Sequence, residues 1–176
     1  LFNNPVNPTS AVYYMDELQE FSIIFKKYDI LVFSDEIYLN LIYPNISLKV
    51  KSLSYYYDKV ILGNSLSKEY TAGGWRIGWL LFPKELIDLH QQLYVLGSCI
   101  YSSASTPLQY VLSDVLKNPS ETKEYIQFMN QFFMKCGKYC YQRFQSLHLE
   151  TSYPESSWYL FIDFIYYKKE LNDRNI

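Results

Sequence analysis

The sequence is poor in the residues on which several common chemistries rely. Its only histidines, His90 and His148, are too few and too scattered for a Ser-His-Asp hydrolase or a zinc hydrolase. Three cysteines cannot build a disulfide framework and fit a reducing compartment such as the cytoplasm. Two of them, Cys136 and Cys140, share a helix face, but no histidine stands at ligand spacing from them. Cys136 and Cys140 therefore read as buried structural thiols; the third cysteine is Cys99. No apolar run is long enough to span a bilayer. A net charge of -2 leaves no basic footprint, so neither nucleic acid nor an anionic membrane is an expected partner. Repeats and low-complexity segments are also absent.

What is present suits a folded core. The chain of 176 residues is long enough for one domain, or a domain and part of another. Its 49% hydrophobic and 19% aromatic content supply a sizeable interior, and 19% charged residues argue against disorder. The nineteen tyrosines are spread along the chain and read as amphipathic filler. Leu1 opens the chain in mid-motif, so any targeting peptide is expected upstream of it.

Asn4-Pro5 and Asn7-Pro8 mark an extended, turning loop. Residues 14–28 predict a helix with Leu18, Phe21, Phe25 and Tyr28 on one face. A short apolar run over 29–34 predicts a buried parallel strand ending at Asp35-Glu36-Ile37-Tyr38. Residues 39–58 read as an irregular surface excursion, and 59–64 as another buried strand. Residues 77–82 form a third strand run, stopped by Pro83, and strands alternating with helical runs indicate an α/β layer fold.

Residues 83–101 predict a helix with Leu86, Leu89, Leu93 and Leu96 aligned. The hydroxyls between Tyr101 and Pro107 read as caps for the next helix. A longer helix is expected over 118–145, capped by Asn118, Pro119 and Glu121. Tyr125, Phe128, Phe132, Cys136 and Tyr139 would form its core stripe. At 1.5 Å per residue it spans roughly 40 Å, enough to join two domains. Residues 158–164 predict a strand, and a polar tail follows from 168 to 176.

The chemistry concentrates in Ser65-Leu66-Ser67-Lys68, followed by Gly73-Gly74-Trp75-Arg76-Ile77-Gly78. A lysine in a partly desolvated loop near another cation is a candidate amine nucleophile. Ser65 and Arg76 supply a hydroxyl and a forked cation suited to a phosphate dianion. A reactive amine beside a phosphate seat matches the needs of pyridoxal phosphate. Two rival readings start from the same residues. Ser65-Leu66-Ser67-Lys68 also fits the S-x-x-K of penicillin-binding proteins, but S-D-N and K-T-G are lacking. The strand ending at Asp35-Glu36 also suits a nucleotide hydrolase, but no G-x-x-x-x-G-K-[ST] loop accompanies it.

The lysine segment, together with Asn4-Pro5-Val6-Asn7-Pro8-Thr9 and Asp35-Glu36-Ile37-Tyr38, resembles the class I/II aminotransferases, within the fold-type I pyridoxal-phosphate enzymes. The resemblance implies part of the PLP-transferase fold: a large-domain mixed sheet flanked by helices, a linking helix and the start of a small domain. Residues 1–118 would belong to the large cofactor-binding domain, and 119–176 to the interdomain helix and small domain. It implies that Lys68 forms the imine with the cofactor aldehyde and later shuttles the substrate Cα proton. Asp35 would hold the pyridine nitrogen protonated, Tyr38 and Asn7 would bind the phenolic oxygen, and Ser65 and Arg76 the phosphate. Ser67 is a weaker phosphate candidate. Substrates would be an amino acid and a 2-oxo acid, in a homodimer of the full-length protein.

The chain departs from the family pattern where Ser10 and Ser156-Ser157 stand in place of glycine. By the same resemblance, the rest of the phosphate cup and the ring-stacking aromatic lie upstream of Leu1, and the carboxylate-binding arginine beyond Ile176. These 176 residues alone are therefore expected to bind cofactor weakly and turn over no substrate. A carbon–sulfur lyase or an aminocyclopropane-carboxylate synthase relative would share the same cofactor residues, and a non-catalytic product on the same scaffold stays open.

Overall fold

The apolar strand runs assemble into one mixed sheet in the computed structural model, which describes residues 1–174. Strands β1 (Phe2–Asn3), β2 (Val32–Asp35), β3 (Val60–Ser65) and β4 (Gly78–Leu81) lie side by side in chain order. The first three are parallel, and β4 returns antiparallel to β3. Helix α1 (Met15–Lys27) makes the crossover from β1 to β2. It starts where the Tyr14 N–H donates to Glu17 Oε2 at 2.8 Å, and Asp16, Glu17, Lys26 and Lys27 match the helix dipole at its two ends.

Leu18 of α1 is buried against Val32, Val60, Leu53 and Tyr57, with Phe2 and Phe25 closing the cluster. Each fully buried aliphatic side chain there contributes about 1.5–3 kcal/mol. Tyr28, expected on the same face, is exposed instead, because it lies past the last helical turn. The other face of the sheet carries exposed Phe33 and Leu80, so β2 is covered on one side only.

Residues 39–58 correct the sequence reading. They are irregular, with short 3₁₀ turns at Ser47–Lys49 and Leu53–Tyr55, but they are no surface excursion. Leu41, Ile42, Tyr43, Val50, Leu53 and Tyr57 are all buried: Leu53 and Tyr57 join the α1 cluster, Ile42 and Val50 pack with Val12, and the end of the chain covers Leu41 and Tyr43. Tyr43 N–H donates to Glu155 O at 3.0 Å and Ser157 N–H to Leu41 O at 2.8 Å.

Pro83 precedes a 3₁₀ turn, Lys84–Leu86, which leads into α2 (Ile87–Tyr101). Leu93 and Leu96 are exposed, so the expected stripe is not a core face among the described residues. Helix α3 (Thr106–Lys117) starts without a side-chain cap from Ser105, and α4 (Pro119–Ser146) without one from Asn118. The Asn118 amide turns back to Asp114 instead, which removes the expected capping box.

Helix α4 has the expected length but the opposite face inward. Tyr125, Phe128, Phe132, Cys136 and Tyr139 are exposed, whereas Ile126, Phe133, Gly137 and Cys140 turn toward the protein. Gly137 explains the rotation. A Cβ there would lie 2.7 Å from Tyr43 Oη and 3.0 Å from Pro154 Cγ, so only a glycine lets the helix approach this closely. The thiols are accordingly not buried: Cys99 and Cys136 are exposed and Cys140 is half-buried.

The expected strand over 158–164 shrinks to β6 (Ile162–Asp163), paired antiparallel with β5 (Glu150–Thr151). Helix α5 (Lys168–Asp173) follows; the last two residues of the expected tail lie outside the described residues. No described helix is long and apolar enough to cross a membrane.

Candidate active site

Parallel pairing brings the three motifs to one edge. Asn3, Asp35 and Gly63 stand in a single cross-strand row, so β1, β2 and β3 all release their loops at the same carboxyl end. In an open α/β sheet that edge is where ligands bind. The loops carry Asn7, Asp35 with Tyr38, and Ser65 with Lys68.

Asp35 is half-buried at its strand end. Its backbone oxygen accepts from Asn3 Nδ2 at 2.9 Å, and Oδ1 accepts the Ile37 N–H at 3.3 Å. Asp35 and Ser65 together line an open cleft of about 490 Å³ with Gly63, Asn64 and Gly78. Ser65 Oγ accepts the Ser67 N–H at 3.0 Å, which leaves its proton for an outside acceptor. Ser65 also pairs across the ladder with Gly78, two residues beyond Arg76. Arg76 sits at φ 56°, is exposed, and donates through Nη1 to Gly73 O at 2.8 Å.

The lysine loop is pinned on both sides of the amine. Leu66 and Glu69 are buried while Lys68 between them is half-buried. The Lys68 Nζ lies 5.7 Å from the centroid of the Trp158 ring, a cation–π distance. Trp158 in turn contacts Phe133, Tyr38 and Tyr159 edge to face or tilted. The amine therefore faces an aromatic wall and not bulk water alone.

Tyr38 is 3% exposed, and its hydroxyl meets the Tyr159 hydroxyl at 2.6 Å. Burial first, then the bond to Tyr159, pushes its pKa well above the ordinary phenol value, so it stays a neutral donor. The Asn7 side chain lies against the same hydroxyl and opposes that rise. Asn7 itself is exposed, and its N–H donates to Asn3 Oδ1 at 2.9 Å.

All six expected residues thus fall on one edge. Asp35 and Ser65 share the cleft, Lys68 and Tyr38 stand by the aromatic wall, and Arg76 and Asn7 are exposed on the flanking loops. Two carboxyls went unread in the sequence. Glu36 is buried and accepts from Ser34 Oγ, Ser52 Oγ and Leu53 N–H at 3.0–3.1 Å. Burial raises its pKa despite these donors. Glu69, 2% exposed, accepts from Asn40 Nδ2, and burial pushes its pKa up to about 7. Sequence patterning carried no sign of either partner set.

An amine, a carboxylate and a hydroxyl stand on loops at the carboxyl edge of a mixed sheet, residue types that would fit pyridoxal phosphate. The family model for aminotransferase class I and II matches residues 1–172, so the chain belongs to that family. It is 30% identical over 176 residues to a probable aspartate/prephenate aminotransferase of Aquifex aeolicus, covering 97% of this chain and 43% of that protein. It is 26% identical to human kynurenine–oxoglutarate transaminase 1, over 98% of this chain and 42% of the relative. A single-mutant aspartate aminotransferase from Thermus thermophilus superposes with a TM-score of 0.83 at 25% identity, covering 92% of this chain and 41% of that one. The chain spans about two fifths of the length of these relatives.

Proposed function

We propose that the polypeptide carrying these residues is a pyridoxal-phosphate-dependent aminotransferase, moving an amino group between an amino acid and a 2-oxo acid as a homodimer. In this reading residues 1–118 belong to the cofactor domain and 119–176 to the linking helix and the start of the small domain. The exposed thiols of Cys99 and Cys136 favour a reducing compartment such as the cytoplasm.

The observation that carries the reading is the shared row of Asn3, Asp35 and Gly63, which delivers the Asp35 carboxylate and the Lys68 loop to one edge. Bound there, pyridoxal phosphate supplies an electron sink for the substrate carbanion. Lys68 holds the cofactor through its amine and then carries the proton from the substrate Cα. Asp35 keeps a positive charge on the ring nitrogen, and the neutral Tyr38 hydroxyl, with Asn7, donates toward the ring oxygen. Ser65 and Arg76 receive the phosphate. The wall of Trp158 and Tyr159 limits water at the amine.

Borohydride reduction of the full-length holoenzyme, followed by peptide mapping, is expected to place a single pyridoxyl group on Lys68. A label on a different lysine, or none, would overturn the reading. A 2-oxo acid product formed with amination of a second oxo acid separates transamination from carbon–sulfur cleavage.

A further inference from the structure

Two buried serines hold the aromatic wall in place. Ser10 and Ser157 are 0% and 1% exposed, and both have left-handed backbone, at φ 59° and 49°. Glycine adopts that conformation freely, whereas a side chain there is strained, and at these two positions the strained residue is also buried and hydrogen-bonded. Ser10 Oγ donates its one proton to Tyr159 O at 2.8 Å. In the 3.1 Å contact between the two hydroxyls, Ser157 Oγ must therefore be the donor to Ser10 Oγ. Ser156 Oγ donates to Ser10 O at 3.0 Å. The Ser157 backbone is used as fully: its N–H donates to Leu41 O at 2.8 Å, and its carbonyl accepts from Tyr43 Oη at 3.2 Å.

These contacts reach the site. Ser10 ends the loop that carries Asn7, where the Ser10 N–H donates to Val6 O at 2.9 Å. Tyr38 bonds the Tyr159 hydroxyl, and the Tyr159 carbonyl accepts from Ser10, so the loops after β1 and β2 meet at Tyr159. Trp158, between the two locked residues, is the ring that faces Lys68.

We propose that Ser10 and Ser157 are paired positioning residues whose hydroxyl-to-hydroxyl bond fixes Trp158 and Tyr159 against Lys68 and Tyr38. The inference rests on the aminotransferase reading for the purpose of that wall, but not for the existence of the lock. Neither serine touches the reacting atoms. Ser10 holds both the Tyr159 carbonyl and the Ser157 hydroxyl, whereas Ser157 shares only the second bond, so S10A already removes what S157A removes and the double variant should add little to it.

The test uses the full-length holoenzyme with S10A, S157A and the double variant. Amide hydrogen exchange across residues 155–159 is expected to accelerate about tenfold in each single variant, the scale of one lost buried hydrogen bond. The double variant should exceed S10A by no more than about threefold. The pH midpoint of the bound cofactor's visible absorbance should move in the same direction as in Tyr38→Phe, a response that a remote stability defect would not produce. S10G and S157G, which relieve the backbone while removing the hydroxyl, guard against variants that fail to fold and should show the same faster exchange. Unchanged exchange, effects that multiply in the double variant, or a fixed pH midpoint would overturn the lock. Lys68 labelling in the parent protein is scored separately, and its failure would strike the aminotransferase reading alone.

Discussion

The segment 154–159 and helix α2 hold their side chains in opposite ways. Pro154, Ser156 and Ser157 are buried, and the hydroxyls and main-chain groups around them are used in hydrogen bonds to loops at both ends of the cofactor edge. In α2 only Gly97 is buried, while Tyr94, Leu96 and Ile100 are 73%, 54% and 70% exposed. The first region is stiffened within the described residues, and the second is not. Helix α2 reaches the cofactor edge where Tyr101, at its end, lines the cleft beside Asp35 and Ser65.

Truncation of a buried residue in the stiff region should have the largest effect. Leu41 is fully buried beside the Ser157 backbone, and Leu41→Ala is expected to cost about 2–5 kcal/mol by urea denaturation. A loss below about 1 kcal/mol would break the contrast.

The next effect is a pH dependence under the lysine loop. The Glu69 carboxyl, with its folded pKa raised from 4.5 to about 7 by burial, ionises less readily in the folded chain than in the unfolded one. Its ionisation therefore weakens the fold. The cost is absent below about pH 4.5, grows as pH rises, and is complete above about pH 7. Glu69→Gln keeps an acceptor for Asn40 and should flatten that decline by up to about 3 kcal/mol, read from denaturation curves across the same range. An unchanged pH slope would show that Glu69 is solvated.

The smallest change is expected on α2. In the chain of 176 residues Leu96→Ala should alter stability by less than about 0.5 kcal/mol in urea, because the side chain is largely exposed. A loss above about 2 kcal/mol would mean that α2 is covered in solution, and the contrast would then apply to the described residues alone.

Much of this arrangement was legible in the residues. Apolar runs ending in Asp35 and Ser65 placed the strand ends within a residue or two, and the 3.6-residue pattern located α1 and α4. Local signals failed where a distant partner decides. Helix α4 offers aromatic residues on more than one face, and Tyr43 with Pro154 selects the inner one by admitting only Gly137. Glu36 and Glu69 read as polar, yet their donors come from Ser52, Leu53 and Asn40, which sequence order does not bring near. The lysine was found from its neighbours Ser65 and Arg76, but the ring above it, Trp158, lies far along the chain. The replacements of glycine by Ser10 and Ser156-Ser157 were visible as separate oddities, and only the fold joins them.

The missing Cβ at position 137 also has a mechanical result. Tyr43 Oη donates both to Phe133 O on α4 and to Ser157 O, each at 3.2 Å, with no side chain between helix and ring. A tilt of α4 thus has no slack to absorb it before reaching the base of the Tyr38 loop.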